Sequence, residues 1–160
     1  MFLVCVDNRA ISLADHQRPR GDLDNTVYPV TPGKAYPVLG MALLENVLYV
    51  LAQNDWAMPD ELPAGLFDLG TWEMPSGWMF GLCSGIRASG KQAWVDPCGA
   101  VWGYAEYACD PTHGTRLLER EEDALKIFAD RVREAEEADV PGTPNSAHMD
   151  RVYQGPWPGW

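Results

Sequence analysis

For its first two thirds the chain alternates short apolar runs with Pro/Gly punctuation, and then it changes to a helical rhythm. Phe2 to Val6 reads as a first strand, carrying Cys5 and the β-branched Val4 and Val6. A polar stretch from Asp7 to Asn25 follows and reads as an exposed loop or insert. Val27 to Val30 is a brief extended segment, confined to a sheet edge or bulge because Pro29 and Pro32 donate no ladder hydrogen bond. The turn Thr31-Pro32-Gly33 opens the region around which the chain is organised. Lys34 to Leu39 is extended, with Tyr36 and Val38 on one face, and Gly40 is the expected break. Met41 to Ala52 is the most apolar run. Its adjacent pairs Leu43-Leu44 and Val47-Leu48 spoil alternation, yet Val47, Tyr49 and Val50 favour strand over helix. The pattern leaves open whether Glu45-Asn46 is a hairpin turn inside that run. Gln53-Asn54-Asp55 is a polar turn, Met58 to Gly65 a Pro/Gly-punctuated passage, and Leu66 to Leu69 a last short apolar segment.

Further on, Trp78 to Cys83 reads as a strand. Trp94-Val95 and Val101 to Tyr107 flank Asp96-Pro97-Cys98-Gly99 and read as a hairpin, with Trp102, Tyr104 and Glu106 sharing one face. Glu119 to Ala138 is a helix. Leu118, Leu125, Phe128, Val132 and Ala135 recur at three- and four-residue steps, and Ala124 and Ile127 widen the stripe. Acidic residues crowd its first turns, where the helix dipole favours them, and Pro141-Gly142 stops it. The expected fold is α+β: a twisted antiparallel sheet or partly open small barrel, with one C-terminal amphipathic helix packed on it. Residues 1–140 form a single domain. Residues 141–160 form a Pro/Gly/Trp-rich tail, whose Trp157 and Trp160 are candidate anchors on the same domain or on another chain.

Composition narrows the partners. The 160 residues include 12 basic and 23 acidic side chains, a formal net charge of −11. That charge opposes nucleic acid and an anionic membrane surface, and it serves either solubility alone or the attraction of a basic protein partner. The apolar fraction is 46%, ordinary for a folded domain, and no apolar run approaches the roughly 18–20 residues of a membrane span. The apolar N-terminus lacks a basic flank, so the expectation is no signal peptide and a cytoplasmic location. Arg9, Arg18 and Arg20 concentrate positive charge in the polar loop, as a solvated loop or as a place for an anion.

Chemical motifs are scarce. The sequence has no nucleophile elbow, phosphate-cradling loop, zinc-protease motif or dinucleotide fingerprint. Cys5, Cys83, Cys98 and Cys109 form no C-x-x-C pair, and Cys98, Cys109 and His113 match no common zinc spacing, so no metal or cofactor is expected. His16, His113 and His148 fall in expected loops, and His113 reads as a surface turn residue. Asp55, Asp60, Glu61, Asp68 and Glu73 cluster near Trp56 and Trp72. That grouping suits a carboxylate pair for sugar chemistry, an acidic binding face with aromatic anchors, or solvated loops. The candidate binding face is Asp55, Trp56, Asp60, Glu61, Trp72 and Glu73. Trp78, Trp94 and Trp102 fall in expected strands and read as core.

The order Pro32-Gly33-Lys34, Tyr36, Val38, an apolar strand, Asn54-Asp55, then Pro63 and Leu66-Phe67 resembles small bacterial β-domains built as a curled, barrel-like sheet. With Trp78, Trp102-Gly103-Tyr104 and the acidic helix, it is similar to uncharacterised bacterial and phage proteins, among them immunity proteins of toxin systems. The resemblance spans roughly Val27 to Val132. It implies a fold more than an activity, and the expected function is a non-enzymatic immunity or inhibitor protein that occludes a basic toxin. The alternatives are a small hydrolase or transferase using Asp/Glu, Cys98 or His113, and a structural subunit of a larger assembly.

Overall fold

A computed structural model describes residues 1–69, 74–89 and 92–138, with the side chains of 83–89 and 92–98 outside that description. Its centre is a seven-stranded antiparallel sheet. The strands are β1 (Phe2–Cys5), β2 (Ala35–Leu44), β3 (Val47–Gln53), β4 (Pro59–Pro63), β5 (Phe67–Asp68), β6 (Met79–Ser89) and β7 (Gln92–Gly103). The helices are α1 (Ala105–Cys109), α2 (His113–Leu118) and α3 (Glu122–Ala138).

Strand β2 is the spine. One edge pairs with β3; the other pairs first with β1 through Ala35–Pro37 and then with β7 through Gly40–Leu44. β4 lies outside β3, β5 outside β1, and β6 outside β7. The strand does not break at Gly40. Gly40 pairs with Gly103, and a Cβ there would lie 2.6 Å from the Tyr107 ring. Two glycines side by side let that ring lie flat on the sheet, so the residue is chosen for close approach and not for a turn. The turn lies at Glu45-Asn46, where both residues have positive φ (49° and 69°). This is the two-residue pattern whose twist matches a right-twisted hairpin.

Three further expectations are corrected. Met58–Gly65 contains a strand, β4, whose bounding prolines are tolerated because it forms an edge. Asp96–Gly99 is not a turn: β7 runs through it, pairing with β6 from Ser89↔Gln92 to Met79↔Gly103, with a register shift between Cys83 and Ser84. Trp102, Tyr104 and Glu106 share no strand face, since the chain leaves β7 at Gly103 and Tyr104 precedes α1.

Where one helix was expected, three occur among the described residues. α3 buries Ala124, Phe128 and Val132, as the stripe predicts, whereas Leu118 is exposed because it ends α2. Arg120, with φ of 61°, separates the two helices. Arg116 binds Glu121 at 2.8 Å and also pairs with Asp123, which ties α2 to the start of α3.

The sheet carries a core on each face. On the helix face, Leu39, Ala42, Leu51 and Val101 pack beneath Tyr104, Tyr107, Leu117, Phe128 and Val132. On the opposite face, Tyr36, Val38, Val50, Leu62 and Phe67 are covered by Leu13 and Val30 of the N-terminal loop. That loop is built into the fold: it makes 3-10 turns at Ala10–Ser12 and Asp15–Gln17, and Ala10 and Leu13 are buried. Val27 contributes only an isolated bridge, to Arg9.

Candidate functional site

The described members of the expected acidic face lie at two places in the fold, and most are engaged internally. Asp55 sits in the β3–β4 turn, where Lys34 Nζ and the Tyr36 hydroxyl donate to its Oδ1, each at 2.7 Å. The Thr31 hydroxyl donates to Oδ2 at 2.8 Å. Lys34 holds the Asp55 carboxyl below its ordinary pKa, aided by Tyr36 and Thr31. The residue fastens the β3–β4 turn to the loop before β2. Asn54 shapes the turn itself, its Oδ1 accepting from the backbone N–H groups of Trp56 and Met58. The indole of Trp56 projects at the apex, 72% exposed.

Asp60 and Glu61 are consecutive on β4, so they point to opposite faces of the sheet. Asp60 accepts from Asn54 Nδ2 at 3.2 Å, and burial raises its pKa. Glu61 lies on the helix face, where the Tyr107 hydroxyl donates to it at 2.7 Å and burial again raises its pKa. Trp72 and Glu73, like the tail with Trp157 and Trp160, lie outside the described residues.

His113 is buried, at 1% exposure, and is not a surface turn residue. Its Nε2 is 2.7 Å from the Tyr104 hydroxyl, and burial pushes its pKa down. Nothing local in the sequence marks this pairing, because Tyr104 and His113 meet only when the chain folds back through α1. Cys109 does not engage His113: its thiol lies 3.8 Å from the Met79 sulfur and is exposed. Cys5 is buried as expected, and the Cys98 side chain is outside the description. Among the described residues no group of three or more His, Cys, Asp or Glu side chains is placed to hold a metal, and no helix is long and apolar enough to cross a membrane.

Arg18 and Arg20 of the N-terminal loop border a cavity of about 280 Å³ with Asp15, His16, Glu45 and Tyr49. Arg18 is held by Asp24 at 2.7 Å and Arg9 by Asp7 at 3.1 Å, while Arg20 approaches Glu45 at 3.9 Å. Their charge is directed to neighbouring carboxylates.

Among the described residues, the surface left without cover is on the sheet face opposite the helices. The register places Leu62, Val50, Met41, Trp102 and Phe80 in one cross-strand row, and Leu48, Leu43, Ala100 and Leu82 in the next. The rows begin in the core under the N-terminal loop and run outward beyond it. Met41 and Leu48 are partly buried against that core, while Leu43, Phe80 and Leu82 are 41%, 57% and 68% exposed. Phe80 stacks on Trp102 with ring centroids 5.5 Å apart. Large apolar side chains in a contiguous row are a docking feature on a soluble surface, whereas single ones are commonplace. Sequence reading placed Trp102 in the core and missed this face, because the register that aligns Phe80 with Trp102 belongs to the β6–β7 pairing. Comparison with protein families, curated proteins and solved structures finds no match.

Proposed function

We propose that this chain is a non-enzymatic protein-binding domain of the immunity or inhibitor kind, which covers a basic site on its partner. The observation that carries the reading is the exposed patch of Leu43, Phe80 and Leu82, spread over two adjacent rows of the helix-free face and backed by Trp102. Apolar and aromatic side chains there supply contact area, and the net charge of −11 attracts a basic partner and speeds encounter. The acidic residues of the β3–β4 region support the scaffold, since Asp55, Asp60 and Glu61 each have an internal partner. Trp56 is the one described member of the expected face that is free to add a contact.

The test is affinity capture from host extract at low and high salt, using the native chain, a Phe80→Ala/Leu82→Ala variant and an exposed-site control, Lys126→Ala. The expected result is a basic protein held by the native chain and by the control, weakened by salt, and lost from the double variant. Equal capture by all three would exclude the face.

A further inference from the structure

We propose that the partner contributes an extended segment of alternating apolar and basic residues, which adds as a strand to the outer edge of β6. This rests on the binding reading above and specifies how that face is engaged.

Among the described residues the outer strands β4, β5 and β6 are not equivalent as edges. β4 is bounded by Pro59 and Pro63, and α2 packs against it. β5 has only two residues. β6 has 11 residues and no proline, and among the described residues it pairs only with β7. A long edge of this kind presents a row of backbone donors and acceptors for another strand.

The first four residues of β6 are also held in place. A Cβ on Gly81 would lie 1.8 Å from the Ala108 carbonyl oxygen, so α1 rests directly on the strand backbone. Phe80 and Leu82 point to the helix-free face; Met79 points the other way, against Cys109. A strand added outside β6 would therefore alternate between two environments. On one side its residues would extend the apolar rows of Phe80 and Leu82. On the other they would meet the end of α1, where the Asp110 carboxylate is partly exposed: its Oδ1 accepts from the Thr112 N–H and hydroxyl, while its Oδ2, 3.8 Å from Arg116, has room for a further donor. The first set calls for apolar residues and the second for lysine or arginine, in keeping with the charge of the whole chain.

The experiment uses the full chain and three capped peptides of about eight residues, a length that spans a typical strand. One alternates lysine and valine, one is the same peptide N-methylated at alternate amides, and one is lysine only. Binding is read by calorimetry, and amide hydrogen exchange is followed at Met79–Leu82. The expected result is that the alternating peptide binds and slows exchange at those amides. The N-methylated and lysine-only peptides bind at least about tenfold more weakly, a loss of roughly 1.4 kcal/mol. Leu82→Ser reduces binding without changing the melting temperature. Equal binding by the N-methylated peptide would overturn strand addition while leaving side-chain docking on the face intact. Equal binding by the lysine-only peptide would reduce the interaction to charge and overturn it. Absence of binding by all three would overturn it together with its premise. Edge protection that appears without peptide and grows with protein concentration would assign the edge to a second copy, and would also overturn it.

Discussion

At the scale of single residues, the polar side chains that looked available for chemistry hold the fold together. The Tyr36 side chain is buried, and its hydroxyl depends on Asp55 as acceptor. Asp55→Ala leaves that hydroxyl and the Thr31 hydroxyl without their acceptor, so it should cost about 1–3 kcal/mol of stability in denaturant unfolding. Partner association should be unchanged, which separates this carboxylate from a contact residue. His113 adds a pH term. Its folded pKa lies below the ordinary 6.5, because burial outweighs the opposing pull of Asp110, Glu106 and Asp123, with Arg116 reinforcing the drop. Between 6.5 and the lower folded value the unfolded chain binds the extra proton, so this contribution to stability falls as pH falls through that window. His113→Gln should flatten the fall in melting temperature on going from about pH 7 to about pH 5, the range a histidine near its reference pKa covers. An unchanged slope would assign the acid sensitivity elsewhere. The identities of Asp55 and His113 were plain in the sequence. Their roles were not, because Tyr36 and Tyr104 reach them only after the chain has folded.

At the scale of elements, the apolar run Met41–Ala52 shows what a period-two pattern can and cannot decide. β-branched and aromatic residues marked it as strand, but two strands joined by a tight turn and one irregular strand share the same composition. The positive φ of Glu45 and Asn46 settles it as a hairpin. Asn tolerates that conformation and a β-branched residue does not. Asn46→Val should therefore cost about 1–2 kcal/mol, while Asn46→Gly leaves stability nearly unchanged. Equal losses in thermal unfolding would mean that the side chain of Asn46, and not its backbone, matters there. The α3 stripe was legible because Phe128 and Val132 fall four apart on one buried face. α1 and α2 were not, since Tyr104–Tyr107 follows directly on the strand residues Val101–Gly103 and the helices are 5 and 6 residues long. The through-running β7 was hidden for the opposite reason: Pro97 and Gly99 look like turn chemistry but lie within it. Gly99 is needed there because a Cβ would sit 2.0 Å from the Leu43 carbonyl oxygen.

At the scale of the molecule, the two faces of the sheet are closed to different extents. Among the described residues, helices cover one face, and the N-terminal loop covers only the β1–β4 half of the other, leaving Phe80 and Leu82 exposed. Asp55, Asp60 and Glu61 near Trp56 each have an internal partner, so under the proposed binding role recognition would fall to that open half, with net charge setting the rate of encounter. Site-specific photo-crosslinking in host extract is the most direct measurement. A photoreactive residue replaces Leu82, Trp56 or Lys126 in turn, and the products are read by mass spectrometry. One basic protein should be crosslinked strongly from position 82, weakly or not at all from position 56, and be absent from position 126 on α3. Crosslinking of that protein from position 126 with none from position 82, or the same abundant proteins from all three positions, would contradict recognition through the open half.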